Sequence, residues 1–230
     1  MALGQCRASR EERRRLLGDD LVPHPMGVVT HAITIDAPPR AVWPWLVQMG
    51  SGRAGWYSYD RIDNGGAPSA RRIIPDLQHV AVGDVMPWLP GARDGFLVGK
   101  VVPERALILV VPRQPAVAAS SSVPVPRASW ALILDPVARG RTRLIARGRV
   151  SRDWLTGPAA AAADSRQPIF IERVYSLLAK LPRPVLLPVA GFGHHLMQSR
   201  MLRGIKRRAE RSWTEARADA EASDRAAGQR

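Results

Sequence analysis

Residues 28–50, VVTHAITIDAPPRAVWPWLVQMG, change character at one point, and that change decides the fold class. Up to Ile35 the run is rich in Val, Ile and Thr, whose branched side chains suit an extended, pleated backbone. Asp36-Ala37-Pro38-Pro39 then breaks the strand ahead of a second apolar run. An acidic residue followed by proline reads as a helix start: Asp36 is the expected N-cap, and a first-turn proline forfeits no intrahelical hydrogen bond. The helix is expected from about Pro39 to Gln48 and ends at Gly50, with Pro44 forcing a late start or a local kink.

Downstream the chain keeps changing period. A second short helix is predicted over 58–64, before the Asn64-Gly65-Gly66 break. Strands are predicted at 84–88, 96–102, 106–111, 129–134 and 142–150, separated by Pro, Gly, Asp and Arg turn signals. Strand follows strand without intervening helices, which describes an antiparallel meander. Near the end, Met197, Met201, Ile205, Ala209 and Trp213 recur every four residues, so one face of a long helix is apolar and must be buried.

The 230 residues, 46% hydrophobic and 23% charged, fit one soluble domain with a sizeable core. The boundaries read as a basic arm at 1–26, a domain at 27–215 and a flexible tail at 216–230. Within the domain, 112–128 (Pro, Ala and Ser-rich) and 151–168 read as loops, and 169–181 as a short amphipathic helix ended by Pro182. Cys6 is the only cysteine, which excludes an intramolecular disulfide and a cysteine metal cluster. The N-terminal stretch lacks the apolar core of a secretory signal, and prolines and charges interrupt 169–193, so a cytoplasmic location is the default.

The net charge of +14 would suit an anionic partner, but the arginines are spread from end to end among many Ala, Gly and Pro residues, as GC-rich coding would leave them. Two clusters stand out: Arg7, Arg10, Arg13, Arg14 and Arg15, and then Arg200, Arg203, Lys206, Arg207, Arg208 and Arg211. They carry a second alternative function, docking of the basic surface on an anionic membrane or nucleic acid, with weak contact at an anionic membrane surface as the expected partner. No specific nucleic-acid binding is expected.

A strand, two short helices, a run of antiparallel strands and a long C-terminal helix follow the order of the helix-grip fold. The segments THAITIDAPPRAVWPWLVQMG (30–50), RAGWYSYDRIDN (53–64), AVGDVMP (81–87) and MLRGIKRRAE (201–210) resemble uncharacterised bacterial members of the SRPBCC superfamily, also called START or Bet v 1-like proteins. The resemblance implies an α+β fold in which a curved antiparallel sheet of about six or seven strands wraps the long C-terminal helix. It also implies a deep apolar cavity for a hydrophobic guest. It does not imply one activity, because the superfamily includes lipid and sterol carriers, hormone receptors and polyketide aromatase/cyclases.

The candidate ligand-binding residues are Arg53, Trp56, Tyr57, Tyr59, Asp60, Trp88, Trp130, Met197 and Met201. Aromatics are only 6% of the chain, so their crowding after the first helix is not background. Rings there would cover the body of a guest while Arg53 or Asp60 holds its polar end; packing under the second helix, with Asp60 paired to Arg53, is the competing role. Trp88 and Trp130 lie on predicted strands, where Trp130, Leu132 and Leu134 share a face. Met197 and Met201 belong to the gripping helix, and thioethers suit a pocket that adapts.

His194 and His195 are adjacent, about 100° apart on a helix, with no carboxylate three or four positions away, so they read as helix-terminal or pocket-edge residues and no metal is expected. No G-x-S-x-G, phosphate loop or cofactor motif is present, and no catalytic residue or cofactor is assigned. The leading expectation is therefore binding of a hydrophobic small molecule or lipid. The alternative is a polyketide cyclase or dehydratase acting through Arg53, Tyr57, Tyr59 and Asp60, since this fold can orient a folded substrate with few polar groups.

Overall fold

Alternation builds the first strand: His31, Ile33 and Ile35 point to one face and Ala32 to the other, and all four are buried. The computed structural model describes residues 10–88, 95–112, 126–152 and 183–227, with 183–190 as backbone alone. Among them the elements run β1 (Gly27–Ile35), α1 (Pro39–Val47), α2 (Asp60–Asp63), a 3₁₀ turn (Pro75–Leu77), β2 (Val85–Pro87), β3 (Gly95–Val102), β4 (Ala106–Pro112), β5 (Pro126–Val137), β6 (Arg141–Val150) and α3 (Arg183–Ala227). The strands form one six-stranded antiparallel sheet in the order β1-β6-β5-β4-β3-β2. The layout is the expected α+β helix grip, a curved sheet with a long C-terminal helix and two short helices after the first strand.

The long helix lies over the face that carries Ile33, Ile35, Leu107, Leu109, Leu132, Leu134 and Leu144. Its Met201, Leu202, Ile205 and Ala209 are at most 3% exposed, and each large side chain so buried contributes roughly 1.5–3 kcal/mol. Helix α1 fills the same space with Val42, Trp45 and Leu46. Three polar ties align α3 with β1: the His195 and His31 rings meet at 2.7 Å, Lys206 Nζ donates to the Thr34 carbonyl at 2.8 Å, and the Asp36 amide donates to Glu210 Oε1 at 2.8 Å. Helix and strand therefore run in the same sense.

The outer face of the sheet is covered by residues 10–22. Leu16 packs on Ala32, Ala106, Ile108, Ala131, Ile133 and Ile145. Arginines of β6 hold the segment there. Arg147, with a side chain only 3% exposed, donates to Asp19 Oδ2 and to the Arg14 carbonyl, both at 2.8 Å. Arg143 pairs with Glu11 at 2.7 Å, and Arg149 lies 3.4 Å from Asp19.

Several local expectations need correction. Asp36 does not cap α1: Pro38 occupies the N-cap without a side-chain bond, and the Asp36 carboxylate, 65% exposed, lies 3.7 Å from Lys206 instead. The helix does not start late, since Pro39 opens it and Pro44 sits inside. Helix α2 is one turn, shorter than expected at both ends: Tyr57 at positive φ and Tyr59 in a non-helical conformation delay its start, and Gly65 and Gly66 follow at positive φ. Helix α3 is much longer than its apolar stripe, so His194 and His195 lie inside it rather than at an end, and it continues as an exposed helix to Ala227. The expected helix at 169–181 and most of the two expected loops lie outside the described residues.

Candidate functional site

The segment that joins α1 to α2 is held by its own polar side chains. An isolated bridge between Gly50 and Gly55, both at positive φ, closes a tight turn. Inside it, Arg53 turns back on α1: Nε donates to the Met49 carbonyl at 3.0 Å and Nη2 to the Val47 carbonyl at 3.1 Å. The Val47 carbonyl is one that the end of a helix leaves unbonded, and Met49 lies just beyond the C-cap Gln48. Asp60 accepts from the Ser69 amide at 3.0 Å and from the Ser69 hydroxyl. Arg53 and Asp60 thus serve separate structural bonds and do not pair with each other.

Tyr57 is buried at 3% exposure and takes a positive φ of 58°. Its hydroxyl accepts from Gln48 Nε2 at 2.9 Å, its ring meets Trp45 edge-on at 6.0 Å, and the Arg208 guanidinium lies 4.6 Å over it. Burial pushes the phenol well above its usual range, so it stays protonated. Tyr59 carries the Arg200 guanidinium at 4.7 Å, and Arg200 Nε also donates to the Ser58 carbonyl at 3.0 Å. Two of the six residues of the C-terminal basic cluster, Arg200 and Arg208, are therefore engaged on this segment.

The structure brings three of the predicted residues together with one that sequence reading missed. Trp56, Trp88, Phe96 and Trp130 form a continuous aromatic cluster, with ring centroids 5.4–5.8 Å apart between neighbours. Trp88 follows β2 rather than lying on it, two residues beyond the buried Met86. Met201 belongs to the main core, whereas Met197, one turn earlier, is only partly buried and accepts a bond from Ser58 Oγ at its carbonyl.

Strand register shows what surrounds Trp130. His31, Ala146, Leu132 and Leu107 make one row across the helix face, and Val29, Gly148, Trp130, Leu109 and Val98 make the next row outward. In that outer row Val29 is 45% exposed, and a Cβ added at Gly148 would meet nothing within 4 Å. Space is thus open beside Trp130 at this end of the grip. Among the described residues the buried Trp130 indole N–H has no hydrogen-bond partner, and neither has the buried side-chain amide nitrogen of Gln198, one turn beyond His194. Buried donors are almost always paired, so both are exceptional.

His31, His194 and His195 converge nearby, with ring centroids of His31 4.8 Å from His195 and 6.2 Å from His194. Burial, then the neighbouring imidazoles, pull His31 down to about 4, so it is neutral at neutral pH. Its 2.7 Å contact to His195 is a hydrogen bond in which one ring donates and the other accepts. Among the described residues no three His, Cys, Asp or Glu side chains are arranged to hold a metal ion. His31 was readable from its alternation with Ile33 and Ile35; Phe96 and Gln198 carried no comparable signal.

Two concavities lie elsewhere, and neither is lined by the predicted site residues. One, of about 290 Å³, is lined by residues such as Trp43, Gln78 and Val101. The other, of about 410 Å³, lies between the start of α1, the β5–β6 turn and α3. Along the 201–209 stretch of α3, Met201, Leu202, Ile205 and Ala209 pack in one buried cluster with Ile33, Ile35, Leu132, Leu134 and Leu144 of the sheet. No helix among the described residues is long and apolar enough to cross a membrane.

No protein-family model matches the chain, and no curated protein matches it. Among solved structures it is similar to a protein from Mesorhizobium loti, at 15% identity over 80% of this chain and 98% of that one, with a TM-score of 0.38. It is also similar to a conserved protein of unknown function from Enterococcus faecalis, at 9% identity over 84% and 85% of the two chains, with a TM-score of 0.39. Neither carries a residue role across to this chain.

Proposed function

We propose that the protein binds a hydrophobic small molecule or lipid at the open end of the grip, against the Trp56–Phe96–Trp130 cluster. The observation that carries this reading is the buried indole N–H of Trp130, without a partner among the described residues, on the strand beside the open space at Gly148. A guest with an apolar body and one acceptor atom meets both needs: rings bury its surface, and the N–H fixes its polar end. Met197 and Val29 are placed to border such a guest, and the SRPBCC-like sequence segments agree with this class of ligand. The buried packing of Met201, Leu202, Ile205 and Ala209 supports a site toward the open end of the grip rather than a central cavity.

Denaturing extraction of the purified protein followed by mass spectrometry should release a stoichiometric apolar compound, or fatty acids and polycyclic aromatics should quench tryptophan fluorescence saturably. Trp130→Phe keeps the ring and loses the N–H. It should weaken a guest bearing an acceptor about five- to thirtyfold and leave a pure hydrocarbon unaffected. An empty protein with no saturable response to either class overturns the reading.

A further inference from the structure

The notch of about 410 Å³ at the opposite end of the grip is lined by four arginines from distant parts of the chain. Arg40 comes from α1, Arg139 and Arg141 from the β5–β6 turn and the start of β6, and Arg217 from α3. Trp213 forms an apolar flank, with Arg40 stacked 4.9 Å from its ring centre. One carboxylate lines the notch, that of Asp36, and it already lies 3.7 Å from Lys206.

Coding bias scatters arginines but does not collect them around one concavity. On β6, by contrast, the clustered arginines are neutralised by the fold: Arg143, Arg147 and Arg149 meet Glu11 and Asp19. The notch set is treated differently. Arg217 has only an exposed contact to Glu221 at 3.6 Å, Arg141 donates Nε to the Ala138 carbonyl at 3.3 Å, and Arg139 makes no hydrogen bond or ion pair with the described residues. Arg139 also holds φ at 64°, a left-handed position that favours Gly or Asn, so turn geometry does not account for an arginine there. Like charges facing one space repel unless an anion occupies it.

We propose that this notch is a second binding site, for a phosphomonoester. A phosphomonoester brings close to two negative charges and three acceptor oxygens, which match several guanidinium forks better than a single carboxylate does. The volume admits the phosphate with a small organic group against Trp213. The proposal does not depend on the apolar site at the other end.

The test is titration of the full chain with phenyl phosphate, followed by Trp213 fluorescence and calorimetry near physiological ionic strength, with benzoate as the carboxylate control. Phenyl phosphate should bind saturably and at least tenfold more tightly than benzoate. The Arg139→Gln/Arg217→Gln double variant should lose at least tenfold in affinity, while an Arg10→Gln/Arg13→Gln variant outside the notch should lose none. A parallel arm measures cosedimentation with phosphatidylcholine vesicles containing phosphatidic acid. Binding there that the notch variant abolishes, with none to phenyl phosphate, identifies a lipid headgroup as the source of the same chemistry. Absence of binding in both arms, or equal loss in the two double variants, overturns the proposal; unchanged thermal melting confirms that the variants are folded.

Discussion

Asp63 is an acid that the fold disfavours in its charged form. It is 5% exposed, and among the described residues neither carboxylate oxygen has a hydrogen-bond partner of ordinary geometry; the Ser58 hydroxyl, which donates to the Met197 carbonyl, and the nearby backbone amides offset the burial only in part. Burial first, and then the charge of Asp60, raise it from 3.8 to about 6. Between these values the folded state holds a proton that the unfolded chain has released, so the contribution of Asp63 to stability falls as pH rises from about 4 to about 6. His31 works in the opposite direction. Its imidazole is lowered from 6.5 to about 4, so its contribution is full above 6.5 and is lost as pH falls through that window. The two slopes oppose each other where they overlap. Asp63→Asn, which cannot charge, should therefore match the native protein near pH 3.5 and exceed it by about 1–2 kcal/mol at pH 7. Its denaturation midpoints should rise steadily from pH 4 to 6.5 as the His31 slope is uncovered. Equal midpoints for variant and native protein at pH 7 would show that Asp63 carries its charge there without penalty.

At the scale of elements, close approach separates glycines that sequence treats alike. Gly204 is buried on α3, and a Cβ there would overlap the Tyr57 carbonyl oxygen, so it is what lets the helix press against the segment after α1. Gly191, on the same helix, is exposed, and an added Cβ would meet nothing within 4 Å. Gly204→Ala should cost at least about 2 kcal/mol by forcing helix and loop apart, whereas Gly191→Ala should gain about 0.5–1 kcal/mol by restricting the unfolded chain. Urea denaturation of the two variants reads the opposite signs; a stabilised Gly204→Ala would mean that the contact yields freely. The elements themselves were legible because each announces its period. The strands from β1 to β6 follow alternation and turn residues, and the Met201, Ile205, Ala209 stripe marks the buried part of α3. Ends were less legible. Asp36 looks like an N-cap in one dimension, but in three it faces Lys206, a residue 170 positions away, and that pairing has no local signature.

The candidate site shows the same limit at the scale of the whole molecule. Crowded aromatics drew attention to this segment, and Trp56, Trp88 and Trp130 do meet, but only sheet register reveals the space at Gly148 and the Trp130 N–H that has no partner among the described residues. Arg53, Tyr57 and Asp60 looked available for a guest because a sequence does not show that Met49, Gln48 and Ser69 use them first. Charge was the least legible quantity, because a total of +14 does not reveal which arginines the fold itself uses. On the outer face, Arg147 is the clearest case. It bonds Asp19, the Arg14 carbonyl, the Glu11 carbonyl and Thr30 Oγ1, so the segment 10–22 is clamped over Leu16 and the apolar residues beneath it. Removing one partner of a buried ion pair strands the other, at about 3–5 kcal/mol when it cannot reach water. Here the segment can lift away, so Arg147→Met should undock it rather than unfold the sheet. The amides of Arg14, Asp19 and Leu21, which donate to Glu11, Leu16 and Gly18, should exchange hydrogen at least tenfold faster in the variant. Amides of β4 and β5 should keep their protection. Exchange of residues 14–21 at the native rate would show that Leu16 holds the segment without the clamp.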